Sequence, residues 1–125
     1  MKILAIGAHQ DDNEFRVGGI AAKWVEAGHT VRFLSMCNGC GGHHVLSTEE
    51  IAKRRREEAQ AVAGLTGIEY DVWDINDCEL MADLETRKRL IRYIREYAPK
   101  FIGQGELEDV VYIEVERDNY TGGLF

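Results

Sequence analysis

The stretch Ala8-His9-Gln10-Asp11-Asp12-Asn13-Glu14 places one imidazole and three carboxylates within six residues. Neutral imidazole and carboxylate are ligands that zinc accepts, and a His-x-x-Asp spacing lets His9 and Asp12 turn inward from one tight loop. Asp11, between them, points elsewhere and is left free. The apolar run Ile3-Leu4-Ala5-Ile6 and the single glycine Gly7 lead into the cluster. Such a run reads as a buried strand of a parallel sheet, and ligands of open α/β sheets bind at the carboxyl ends of strands. A plainer reading competes with the metal site: Asp11, Asp12 and Glu14 as a solvated acidic loop capping the helix that follows.

A second concentration of chemistry is Cys37-Asn38-Gly39-Cys40-Gly41-Gly42-His43-His44. Two cysteines and two histidines could form a local metal knuckle. A redox pair is the second reading, although these cysteines do not open a helix and so lack the dipole that lowers a thiol pKa. A flexible glycine-rich loop with incidental thiols is the third.

The elements that position these groups follow from periodicity. Val17, Ile20, Ala21, Trp24 and Val25 predict a helix over Arg16 to Ala27, with Gly28 at its carboxyl end. Thr30 to Met36 is a second strand, and His29 at its amino end is structural. Ser47-Thr48-Glu49-Glu50 has the form of a capping box and opens a helix through Ile51 to Gly64, with Gly64 and Gly67 ending it. Ile68 to Trp73 is a third strand, and Leu84 to Tyr97 a third helix stopped by Pro99. Lys100 to Gly103 is a short fourth strand, and the alternation over Asp109 to Val115 predicts another. The whole is one α/β domain, residues 1–125, built as a Rossmann-like three-layer α/β/α sandwich on a mainly parallel sheet of four or five strands.

The first motif, Gly18-Gly19, the Gly28-His29-Thr30-Val31 strand opening, Arg55-x-x-Glu58, Leu65-Thr66-Gly67-Ile68 and Asp77-x-Glu79-Leu80 together resemble the LmbE/PIG-L family of zinc-dependent N-deacetylases. The resemblance covers Met1 to about Pro99, leaving residues 100–125 as a divergent tail. The family signature is Ala-His-Pro-Asp-Asp-x-Glu, so Gln10 is a departure. The resemblance implies zinc, or another divalent metal, held by His9 and Asp12, with Asp11 as general base and Arg55 and Glu14 contacting substrate. It implies hydrolysis of a small N-acetylated amino sugar. The family's third metal ligand is a later histidine, and no histidine follows His44 in this sequence. His43 or His44 from the adjacent loop, a ligand from a second subunit, or a late carboxylate such as Glu106 or Asp118 are the substitutes the chain offers.

Composition narrows the classes. A 125-residue chain with 45% hydrophobic and 30% charged residues is a globular domain with a single core. A net charge of −7 opposes a nucleic-acid surface. The apolar run before His9 is too short for a membrane span or a signal core, and three cysteines fit a reducing compartment, so a cytoplasmic location is expected. Three helices leave parts of a parallel sheet uncovered, which predicts an oligomer, most simply a dimer. Two alternatives accompany the hydrolase: a non-catalytic oligomerising or metal-binding module on the same fold, and a phosphoryl-accepting receiver-like domain with Asp71 or Asp74 as acceptor.

Overall fold

A computed structural model describes residues 1–105 and 110–114, with side chains as far as Gly103. Strands β1 (Lys2–Gly7), β2 (Thr30–Ser35), β3 (Glu69–Val72), β4 (Phe101–Gly105) and β5 (Val110–Glu114) form one sheet in the order β3-β2-β1-β4-β5. The first four are parallel and β5 returns antiparallel to β4. Helices α1 (Asp12–Glu26), α2 (Thr48–Thr66) and α3 (Leu84–Tyr97) make the crossovers. The expected three-layer α/β fold is therefore present. Glu106 and Asp118, proposed from the sequence as late ligands, lie outside the described residues.

Strand alternation divides the core in two. Ile3, Ala5, Val31, Phe33, Ile68 and Tyr70 face α1 and α2, where Val17, Ala21 and Ala59 meet them. Leu4, Ile6, Leu34, Trp73 and Ile102 face the other way, toward Tyr97 and the partly buried Leu90, Tyr93 and Ile94 of α3. Strand order also decides against the receiver-like alternative. That arrangement sets the third strand beside the first, whereas here β2 stands between β3 and β1.

Two boundaries differ from the sequence reading in ways that matter for the site. The first helix begins at Asp12, four residues before the predicted Arg16, so Asp12 and Glu14 sit in its first turn. Carboxylates there are favoured by the positive end of the helix dipole, which is why an acidic stretch that reads as loop is helical. Gly18 and Gly19 lie inside α1, in its second turn. Its carboxyl end closes in the Schellman pattern: Gly28 and His29 amides donate to the Val25 and Trp24 carbonyls, each at 2.9 Å. The second helix runs through Gly64 and stops at Gly67. Its amino end is the expected capping box, with Ser47 Oγ accepting the Glu50 amide at 3.2 Å and Glu50 accepting the Ser47 amide at 2.9 Å.

Phe33 is fully buried at the centre of the first core face, edge-on to Tyr70 with ring centroids 5.6 Å apart. Phe33→Ala should lower unfolding free energy by about 3–5 kcal/mol, as truncation of a core aromatic does. A urea midpoint unchanged from wild type would contradict this packing.

Candidate functional site

The carboxyl ends of β1, β2 and β3 share one edge of the sheet, and the loops leaving them build a common site. Pairing continues past the strands: the Met36 amide donates to Gly7 at 3.0 Å, the Cys37 amide to Ala8 at 2.7 Å, and the Asn38 amide to Ile75 at 2.8 Å. The three loops are thus tied in the order of their strands. Gly7 is required where β1 turns into α1, because a Cβ there would lie 2.8 Å from Asp12 Cβ.

Buried side chains hold the first loop from beneath. Ser35 Oγ donates to the His9 carbonyl at 2.9 Å, and Asn13 Nδ2 donates to the Leu34 carbonyl at 3.1 Å. The Tyr70 hydroxyl contacts both the Gln10 carbonyl and, at 2.9 Å, Glu14 Oε2. Tyr70 carries one proton and so cannot donate to both. Burial, the largest effect, pushes the Glu14 carboxyl above its usual range, with the Asp11 charge adding to it. Burial likewise raises the Tyr70 hydroxyl, keeping it a donor.

His9 lies between two carboxylates. Its Nδ1 is 3.8 Å from Asp12 Oδ2, which also accepts the His9 amide at 2.8 Å, and its Nε2 is 3.5 Å from Asp77 Oδ1. Asp77 is fixed in turn: its oxygens accept the Gly39 and Gly41 amides at 3.0 and 2.7 Å. Cys37 is buried beside them, and donor atoms of His9, Cys37 and Asp77 lie within 4.8 Å of one another. Desolvation, with the Asp77 charge second, raises the Cys37 thiol above its normal range. The nitrogen, oxygen and sulfur donors of this group are those a zinc-type cation takes. All three cysteines are free, Cys37 and Cys40 buried and Cys78 exposed.

A cleft of about 740 Å³ opens above these loops, and His9, Asp11, His43, Arg55, Glu58 and Asp77 are among its walls. Asp11 does not cap α1 with its side chain; its Oδ2 instead faces Arg55 Nη2 at 3.5 Å. Arg55 is held from its own helix by Glu58 at 2.9 Å. His43 reaches the cleft with Nδ1 accepting the Val45 and Leu46 amides at 3.0 and 3.2 Å, while His44 stacks on it, centroids 5.4 Å apart. Glu14 turns to Tyr70, behind the loop, and is not a wall of the cleft. His29 is at the opposite edge of the sheet, 3.1 Å from the Met1 amine.

The sequence offers Cys37 as part of a local knuckle with Cys40, His43 and His44, and Asp77 only as part of a family turn; the structure brings both to His9 instead. Both could have been found from position, since each follows a parallel strand at its carboxyl end. Gln10 is the other addition. It is 2% exposed, and its Nε2 donates to the Asn38 carbonyl at 2.9 Å, joining the first loop to the second.

A family model described as PIG-L, GlcNAc-PI de-N-acetylase, matches residues 4–114, beyond the point near Pro99 where the resemblance in the sequence stops. A curated relative, 4-oxalmesaconate hydratase of Pseudomonas putida, is 29% identical over 113 residues, covering 85% of this chain and 44% of its own length. Among solved structures, N,N'-diacetylchitobiose deacetylase from Pyrococcus horikoshii superposes with a TM-score of 0.76 at 32% identity, over 81% of this chain and 39% of that one. The 4-carboxy-2-hydroxymuconate hydratase from Pseudomonas putida KT2440 gives 0.73 at 29% identity, over 81% and 45%. The chain thus spans less than half the length of these relatives.

Because burial raises the Glu14 carboxyl, its ionisation opposes folding: the native state carries its full advantage below the unfolded carboxyl value and loses it as pH rises through the raised one. Glu14→Gln, which keeps an acceptor for Tyr70, should gain stability over wild type at pH 7 and little at pH 4. Urea titrations at both pH values check the sign; an equal difference at both would contradict it.

Proposed function

The chain belongs to the PIG-L family, and from that premise we propose that it is a metal-dependent hydrolase removing the acetyl group of a small N-acetylated amino sugar. The observation that carries this reading is that one turn delivers His9, Asp11 and Asp12 to the carboxyl edge of the sheet, with Arg55 facing Asp11 across the cleft. His9 and Asp12 are the donors belonging to the family motif, and the loops after β2 and β3 bring Cys37 and Asp77 to the same imidazole. A bound divalent cation would supply a Lewis acid for the amide carbonyl and a more acidic water.

The chain's own residues do the rest. Asp11 accepts a proton from the attacking water as its oxygen bonds to the carbonyl carbon. The same carboxyl then returns the proton to the amine nitrogen as the carbon–nitrogen bond breaks, leaving acetate and a free amine. Arg55 holds the Asp11 carboxylate over the cleft and presents donors to a sugar hydroxyl or a phosphate. Glu14 supports this set from behind, through Tyr70 and the Gln10 carbonyl.

Hydration is the second reading, favoured by the curated hydratase at 29% identity. Both reactions deliver an activated water, so the same loops serve either. Self-association is part of the proposal: α1 and α2 cover one sheet face, while α3 alone packs on the other. So is a cytoplasmic location, supported by three free thiols. No described helix is long and apolar enough to cross a membrane.

Purified protein loaded with zinc should release acetate from an N-acetylglucosamine derivative. Asp11→Asn should lower kcat about 10²–10⁴-fold while zinc remains bound. Zinc content by elemental analysis should fall to background in His9→Ala. Hydration of 4-oxalmesaconate without acetate release would transfer the assignment to the second reading. Size-exclusion at micromolar concentration should give a dimer, and a monomer would remove that inference.

A further inference from the structure

We propose that His9, Cys37 and Asp77 form a nitrogen, sulfur and oxygen donor site for a thiophilic divalent cation. The proposal rests on the reading of His9 as a metal ligand. It differs from the family pair in drawing its other donors from the loops after β2 and β3. Asp12, at Nδ1 of the ring, then orients the imidazole from outside, as carboxylates commonly do behind metal-bound histidines.

Backbone hydrogen bonds hold Cys37 and Asp77 in place beside His9. The Cys37 amide donates to the Ala8 carbonyl at 2.7 Å, which sets the thiol beside the residue preceding His9. Asp77 cannot swing away, because the Gly39 and Gly41 amides hold both of its oxygens. Each carboxylate oxygen retains a free lone pair after one such bond. A tetrahedral ion with bonds of about 2.0–2.3 Å spaces its ligands by about 3.3–3.8 Å. Oδ1 of Asp77 is already 3.5 Å from His9 Nε2, so small side-chain rotations close the remainder. Three protein donors leave the fourth position open toward the cleft that His9 and Asp77 line, the form a catalytic site requires. Loading breaks the Cys37 S–H bond, forms a sulfur–metal bond and sends the proton to buffer. A thiolate selects zinc, cobalt or cadmium over magnesium or calcium.

Cobalt chloride provides the probe. Wild-type protein should bind one Co²⁺ per chain and develop the near-ultraviolet thiolate-to-cobalt charge-transfer band. Cys37→Ser should lose the band and bind cobalt at least about tenfold more weakly, and Asp77→Asn should keep the band with weaker binding. Cys40→Ser and Cys78→Ser should match wild type. Cobalt bound to wild type without the band, or a band surviving Cys37→Ser, overturns the thiolate site and leaves the metal-dependent hydrolase standing. Wild type that binds no cobalt and no zinc overturns both. The wild-type spectrum decides the question even if Cys37→Ser does not fold.

Discussion

Buried backbone carbonyls and amides must be paired, and where the described strands give way to loops at the carboxyl edge of this sheet the strand ladder pairs only some of them. The chain answers with side chains. Ser35 reaches the His9 carbonyl, Tyr70 the Gln10 carbonyl, Gln10 the Asn38 carbonyl, and Asn13 the Leu34 carbonyl. Asn38 extends the network to Asp74 and Asn76 at 3.3 and 3.0 Å. Three irregular loops become one rigid layer, and the positions of His9, Cys37 and Asp77 are consequences of that layer. A site on loops gains the precision of one on strands when its carbonyls are satisfied from the core below.

Much of this was legible in the residues. The run Ile3 to Ile6 into Gly7, the capping box at Ser47 and the alternation in β2 are local signals, and each produced the element it predicts. The start of α1 was not legible, because Asp12 and Glu14 are polar residues whose helical role depends on the dipole and on Tyr70, a partner 56 residues away. The grouping of Asp77 and Cys37 with His9 was not legible for a related reason. A motif is a pattern along the chain, whereas the approach of Asp77 to His9 is a property of adjacent parallel strands. Strand order itself, with β4 beside β1, is set by where α3 packs, which no single stretch encodes.

The similar proteins are named for two chemistries, a deacetylase on one hand and a hydratase on the other. What they have in common with this chain is the fold beneath the loops, and the chemistry is decided by which donors those loops present. Arg55 illustrates the division. Its helix is framework, anchored by Ile51, Ala52 and Ala59, yet its guanidinium projects into the cleft beside Asp11.

Gln10 bears on how such chains diversify. A Cβ on Gly39, whose φ of +76° already favours glycine, would meet Gln10 Oε1 at 2.7 Å and the Arg55 side chain at 3.0 Å. Positions 10, 39 and 55 therefore share one small volume. A side chain gained at 39 would be strained by the backbone and would also displace Gln10 or Arg55, so position 39 constrains what 10 and 55 can hold. The third position of the first motif is thus sterically tied, in this chain, to the loop after β2 and to the helix between β2 and β3.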